Sequence, residues 1–253
     1  MDLSNKTAFV IGGSGGLGFE ISKALAKVGV NLIIHGSNQE KLENKKKQLE
    51  KMINEDETLK NKNKNIEIYP QNFSENFNIK NDWNILNSYI QRADILIICY
   101  GPFLQKELHK TSIKDWESIV YWNYTFPGQI ISTALVSMME KKQGKILVFG
   151  GTRTNSINGY RTNAAYAGAK TALCSLVKSV AAEYAKYGIT CNGILPGFVE
   201  TEYLSLETKK ALAKKMPQGK LISKESIAEA AMFLLKNKSF NGILLNVDEG
   251  WMP

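Results

Sequence analysis

Thr7-Ala-Phe-Val-Ile-Gly12-Gly-Ser-Gly-Gly16-Leu-Gly18 opens the chain with a short apolar run that breaks into a glycine-rich turn. The run is almost unbroken, which suits a strand buried on both faces. After the turn, Phe19, Ile21, Leu25 and Val28 repeat at helical spacing and stop at Gly29, and a second apolar run, Asn31 to Gly36, follows at once. Strand, glycine-rich turn, helix and strand in that order begin a parallel dinucleotide-binding sheet. Gly12, Gly16 and Gly18 let the backbone approach a pyrophosphate and let the helix pack on its strand. The N–H groups and dipole of that helix favour the negative charge. Ser14, Gly15 and Leu17 complete the cofactor-binding turn. A mere tight turn is the plainer reading, and the flanking strand and helix argue against it.

The rest of the chain repeats the alternation. Gln39 to Ile53 carries a few apolar residues among charges and reads as a solvated helix, and 54–65 as a mobile surface loop. Ile66 to Tyr69 is a strand, a polar helix runs through Trp83, Leu86 and Ile90, and Asp94 to Cys99 is another buried strand. Ser112 to Glu140 has a long helical pattern with Pro127 inside it. Pro127 lacks an N–H, so the carbonyl of Asn123 loses its helical partner and a kink is expected there. Lys145 to Gly150 is a strand and Gly151 to Asn163 a polar loop. A helix from Ala164 to Tyr187, a strand from Ile189 to Leu195, an excursion from Phe198 to Ile222, a helix capped by Ser223 and a last strand, Ile243 to Val247, complete the chain. Without an internal repeat or a linker, this predicts one α/β domain over 1–253, a Rossmann-like doubly wound parallel sheet with helices on both faces.

Composition narrows the function. A chain of 253 residues with 43% hydrophobic residues buries a sizeable core. The net charge of +8 comes from lysines set among Asn and Glu without interleaved aromatics, which argues against nucleic acid. No apolar run approaches the roughly 18 residues of a membrane span. Cys99, Cys174 and Cys191 are odd in number and sit in mostly apolar settings, and no secretory signal precedes the first strand. Reduced thiols in the cytoplasm are the simplest reading, and no metal site is expected.

Tyr166-Ala-Gly-Ala-Lys170 supplies candidate chemistry. Residues four apart share a helix face, and an ammonium beside a phenol stabilises the phenolate, bringing its pKa down from about 10 toward neutrality. That makes a proton donor for carbonyl chemistry. Such a pair also arises by accident in a lysine-rich chain, so its weight comes from context.

With Gly12-x-x-x-Gly16-x-Gly18 after the first strand, Asn123 in the middle helix, Tyr166-x-x-x-Lys170 on the next, and Pro196-Gly197-x-x-x-Thr201 after the sixth strand, the sequence resembles the short-chain dehydrogenase/reductase family over essentially its whole length. Pro196 to Thr201 and the ending Leu245-Asn-Val-Asp248 look most like its 3-oxoacyl-[acyl-carrier-protein] reductases. The resemblance implies hydride transfer between a nicotinamide and a carbonyl or alcohol substrate, with a 3-oxoacyl thioester as one candidate. In it Tyr166 is the proton donor, Lys170 its partner and a contact of the nicotinamide ribose, and the Asn123 carbonyl the anchor of a water. It also implies cofactor contacts from Ser37, Asn38, Asn72, Phe73, Cys99, Gly101, Pro196, Gly197, Val199 and Thr201.

Several positions depart from the family pattern. Ile11 replaces a Thr before the first glycine, Asn72 an Asp, and Cys99-Tyr100-Gly101 an Asn-Ala-Gly. Tyr100 either narrows the adenosine pocket or lines the substrate mouth. His35-Gly36-Ser37-Asn38 holds no carboxylate where an acid would repel a 2′-phosphate, which favours NADP and leaves NAD open, with Lys41 also near the phosphate. His35 itself reads as structural. The family's Ser at the end of the fifth strand is absent, because Gly150-Gly151 falls there. Thr152 is the expected substitute and Thr154 the alternative, unless both only satisfy loop backbone. Arg153 is either a contact for an anionic substrate group or a solvated loop residue. Phe198 to Ile222 reads as a substrate lid whose Tyr203, Leu204, Leu206 and Met216 line a pocket or pack the lid shut. Relatives pair through the two long helices, so a homodimer or homotetramer is expected. The rival to a reductase is a nucleotide-binding member with impaired catalysis that acts through partner contacts.

Overall fold

In the computed structural model, β1 (Thr7–Ile11), β2 (Asn31–Gly36), β3 (Ile66–Pro70), β4 (Ile95–Ile98), β5 (Gly144–Phe149), β6 (Ile189–Pro196) and β7 (Leu244–Val247) form one sheet ordered β3-β2-β1-β4-β5-β6-β7. The structure describes residues 2–57, 59, 65–73, 77 and 79–251, and for 79–81 the backbone only. Every pairing is parallel, with Thr7 opposite Asn31 on one side of β1 and Ala8 opposite Ile95 on the other. The connections therefore run outward in opposite directions from β1 and β4. At such a switch point the carboxyl ends of two adjacent strands open a crevice.

Alternate side chains along each strand feed two cores. Val10, Ile34, Ile97, Leu147 and Ile194 meet Leu25 of α1 (Gly16–Lys27), Leu42 of α2 (Gln39–Glu55) and Ile227 of α8 (Lys224–Lys236) on one face. Phe9, Ile33, Leu96 and Val148 meet Leu86 of α3 (Ile79–Arg92), Ile130 of α5 (Phe126–Glu140) and Leu173 of α6 (Ala164–Tyr184) on the other. Strands covered on both faces need continuous apolar sequence, and β4 and β5 are buried at every residue. The two cores share one sheet, so the chain is a single domain.

The boundaries show where sequence patterning is coarse. α2 continues two residues past Ile53, to Glu55. Most of the loop expected over 54–65 lies outside the described residues. At its edges Asn54 belongs to α2, and Leu59 is buried with its N–H on the Asp56 carbonyl (2.9 Å). The expected long helix over 112–140 is two helices, α4 (Ile113–Val120) and α5, joined by a π-helical turn at Tyr121–Thr125. There the N–H of Phe126 reaches back five residues to the Tyr121 carbonyl. Pro127 cannot donate, and the ladder resets just upstream of it, where a π-bulge absorbs the lost bond. Beyond β6, the short helix α7 (Leu206–Ala213) crosses the excursion from Phe198 to Ile222.

Candidate active site

At the switch point a cleft of about 420 Å³ is walled by Gly12 and Ser14–Gly18, by Ser37 beyond β2, by Asn72 and Phe73 beyond β3, by Cys99–Gly101 beyond β4 and by Thr201. The helix start packs directly on the strand end: a Cβ on Gly18 would lie 2.2 Å from the Gly12 carbonyl oxygen. Gly12 itself has φ +82°, which an L side chain rarely adopts. A glycine-rich backbone cradle at the start of a helix fits the pyrophosphate of a dinucleotide. The cleft thus gathers most of the expected cofactor residues.

Six do not line it: Tyr166 and Lys170, described below, and Asn38, Pro196, Gly197 and Val199. Asn38 spends its Oδ1 on the Lys41 N–H (2.7 Å) as the N-cap of α2. Pro196, Gly197 and Val199 lie outside the cleft wall: Val199 is buried and bridged to Ile222, and Gly197 packs on Asp248. Tyr100 lines the cleft with its hydroxyl donated to the Phe73 carbonyl and its ring against Trp122.

His35 is structural, as its strand-end position implied, and its task is specific. Its Nδ1 accepts the Gly12 N–H (3.1 Å), its Nε2 faces the Gln71 carbonyl (2.9 Å), and its ring stacks on Phe73 at 4.1 Å. Only the neutral ring with the proton on Nε2 satisfies both bonds, and burial pushes its pKa down to about 4. His35 thereby fixes the first residue of the turn.

The chemistry converges at the inner end of the cleft. Lys170 is buried on α6 and donates to the Phe149 carbonyl at 2.7 Å. Asn123, fully buried in the π-turn, donates its Nδ2 to the Pro102 (2.9 Å) and Ile119 (3.1 Å) carbonyls, and its Oδ1 has no partner among the described residues. A Cβ on Gly101 would sit 2.5 Å from that Oδ1 and 3.0 Å from Lys170 Nζ, so both groups face the same backbone. Tyr166 is half-buried beside them, with Lys170 Nζ 5.8 Å from its ring centre and Phe103 packed on it edge-on at 4.9 Å.

The electrostatics correct one expectation. Burial pushes the Tyr166 phenol up to about 12 instead of letting it fall toward neutrality. Burial also pulls Lys170 down to about 8, against smaller upward effects from Cys174 and Cys99. Desolvation disfavours the charged phenolate, and the Lys170 ammonium is hydrogen-bonded to the Phe149 carbonyl. Burial thus favours the protonated phenol.

The wall beside Tyr166 corrects another. A Cβ on Gly151 would lie 3.3 Å from Tyr166 Cε1, so Gly151 occupies the place a side-chain donor would fill. Thr152, the expected substitute, donates its hydroxyl to the Pro196 carbonyl at 2.7 Å. Thr154 is buried and binds the Gly151 carbonyl (2.8 Å) and N–H (3.1 Å). Arg153 is partly exposed, and its guanidinium is paired with Asp248 at 2.7 Å.

Comparison with known proteins agrees with this architecture. The family model described as short chain dehydrogenase matches residues 6–211. The chain belongs to the short-chain dehydrogenase family. It is 31% identical over 257 residues to a protein of Rickettsia bellii named 3-oxoacyl-[acyl-carrier-protein] reductase FabG, covering 100% of this chain and 99% of that one. A protein of the same name from Chlamydia trachomatis serovar D is 29% identical over 262 residues, at 98% coverage of each. Among solved structures, YwfH, an NADPH-dependent reductase involved in bacilysin biosynthesis, superposes with a TM-score of 0.84 at 21% identity, over 98% of this chain and 99% of its own. This short-chain dehydrogenase is an NAD(P)-dependent oxidoreductase similar to 3-oxoacyl-[acyl-carrier-protein] reductases. Among its described residues no helix is long and apolar enough to cross a membrane.

Sequence reasoning passed over three contributors: His35 as the clamp on Gly12, Phe103 as the cover of Tyr166, and Glu202, whose carboxylate accepts the Gly16 N–H at 2.8 Å. The acid directly after Thr201 was the one visible signal, because helix N-termini attract carboxylates.

Proposed function

We propose that this short-chain dehydrogenase reduces the carbonyl of a 3-oxoacyl thioester with NADPH, using Tyr166 as proton donor. The convergence of Lys170 Nζ and Asn123 Oδ1 on Gly101, with Tyr166 alongside, carries the reading. When bound, the cofactor supplies the hydride for the carbonyl carbon. Tyr166, kept protonated by its burial, gives its proton to the oxygen that becomes the alcohol. Lys170, with its pKa near 8, is mainly an ammonium at neutral pH and a readier donor than an ordinary lysine, suited to return that proton. Asn123 anchors by its backbone carbonyl the water that refills Lys170, and its side-chain Oδ1, unpartnered among the described residues, faces Gly101 beside Lys170. The absence of a carboxylate over His35 to Asn38 favours NADP over NAD. The name of the Rickettsia bellii relative supports the thioester as substrate class.

The test follows NADPH and NADH oxidation with a 3-oxoacyl thioester. Wild type is expected to turn over NADPH faster than NADH, and Tyr166→Phe to lose about 10²- to 10⁴-fold in rate. Equal rates in wild type and Tyr166→Phe would sink the reading. One observation favours a second reading, a nucleotide-binding member with impaired catalysis: Gly151 offers no hydroxyl beside Tyr166, and both nearby threonines are engaged with backbone. NADPH binding without turnover of any thioester or small ketone would select it.

Exposed Ile113 and Trp116 on α4, Tyr124 in the π-turn and Val136 on α5 support association into a homodimer or homotetramer. Light scattering checks this, and a monomer at micromolar concentration counts against it.

A further inference from the structure

The lid reaches into the phosphate cradle. Its base is stapled by the Glu200 N–H to the Ile222 carbonyl (2.8 Å) and the Ile222 N–H to the Phe198 carbonyl (2.9 Å), whereas α7 buries none of its residues. Between them, Glu202 Oε1 takes the N–H of Gly16, the first residue of α1, whose N-cap Gly15 offers no side chain. Its Oε2 lies 3.5 Å from Lys224 Nζ. Tyr203 lies over the same turn with its hydroxyl bonded to Lys41 Nζ at 3.3 Å. A Cβ on Gly15 would meet the Tyr203 hydroxyl at 2.1 Å, Glu202 Oε1 at 2.8 Å and Lys41 Nζ at 2.9 Å.

A carboxylate, a hydroxyl and two ammonium groups thus crowd the helix N-terminus where a dinucleotide would place its pyrophosphate. We infer that Glu202 is a built-in competitor for the cofactor phosphates, so that a dinucleotide enters by displacing Glu202 and Tyr203 and inherits Lys41 and Lys224 as phosphate partners. The inference rests on the cofactor reading above and adds to it how the site is loaded. The carboxylate is ionised: burial, the largest effect, works upward, but the Gly16 and Glu202 N–H groups with Lys224 and Lys41 hold it below the usual range. Two anions cannot share one backbone N–H, and each must lose its hydrogen bonds before the other gains them.

The experiment measures NADPH binding by its fluorescence in wild type, Glu202→Gln and Glu202→Ala, with circular dichroism confirming that all three fold. Loss of a charge-assisted bond that the cofactor must otherwise break is expected to tighten NADPH binding by about tenfold or more, with Glu202→Ala at least equal to Glu202→Gln. A second readout separates displacement from simple helix capping. In wild type, NADPH should change the rate of tryptic cleavage at Lys209, Lys210, Lys214 and Lys215 of the lid, and in Glu202→Ala that change should shrink. Tighter binding together with the proteolytic change supports the inference. Unchanged or weaker binding in both variants overturns it and leaves the cofactor reading standing. Failure of all three proteins to bind NADPH or NADH overturns both.

Discussion

Two walls meet at Tyr166, and they are built differently. One is helical: Tyr166 and Lys170 on α6 and Asn123 in the π-turn are held by packing, and Lys170 and Asn123 are buried. The other is the loop after β5, where Thr152 and Thr154 bond the Pro196 and Gly151 carbonyls and Arg153, at φ +57°, is tied to Asp248. On a helix the spacing dictates where a functional group points. In a loop the polar side chains first satisfy backbone groups that no ladder serves, and the residue type does not say which carbonyl will claim a hydroxyl. One wall gathers Lys170 and Asn123 on Gly101 beside Tyr166, and the other spends its hydroxyls on its own backbone.

The contrast breaks most readily on the helical side. Tyr166→Phe, with the loss stated above, is the largest expected effect; a loss below tenfold would show that the loop wall carries the proton transfer after all. A smaller and opposite effect is expected from Gly151→Ser. The new hydroxyl would stand beside Tyr166, and a single oriented donor is worth up to ~10²-fold in rate. The nearest contacts of its Cβ, 3.1 Å to Thr154 Cγ2 and 3.3 Å to Tyr166 Cε1, need only a few tenths of an ångström of adjustment. As its control, Thr152→Val is expected to leave kcat within about twofold, because that hydroxyl supports the Pro196 carbonyl and not the substrate. A Thr152→Val enzyme slower by 10²-fold or more would reverse the assignment of the two walls.

The same contrast explains what the sequence made legible. The parallel sheet and the glycine turn were readable because periodicity and spacing survive in one dimension, and the helical spacing of Tyr166 and Lys170 placed both on α6. The π-turn was half-readable: Pro127 announced a lost bond, but how the helix absorbs it depends on packing around Trp122 and Phe126. The fate of Thr152 and the contact of Glu202 with Gly16, residues 186 apart, depend on where the lid folds back, which no local pattern encodes. The Tyr166 pKa was misjudged for a related reason. Spacing reveals the ammonium but not the burial that raises the phenol.

His35 gives the turn a weakness to acid. Its Nδ1 must stay bare to receive the Gly12 N–H, and its folded pKa near 4 lies below its ordinary 6.5. The unfolded chain therefore takes up a proton that the folded one refuses. Stability fully present above pH 6.5 is lost progressively as the pH falls toward 4, by on the order of 3 kcal/mol from this group alone. Urea midpoints between pH 7 and 4.5 should fall more steeply for wild type than for His35→Gln, and parallel curves would contradict the assignment. Any ligand that depends on the geometry of Gly12 then binds in opposition to that proton. Nucleotide and acid become antagonists at the same turn without ever sharing a binding atom.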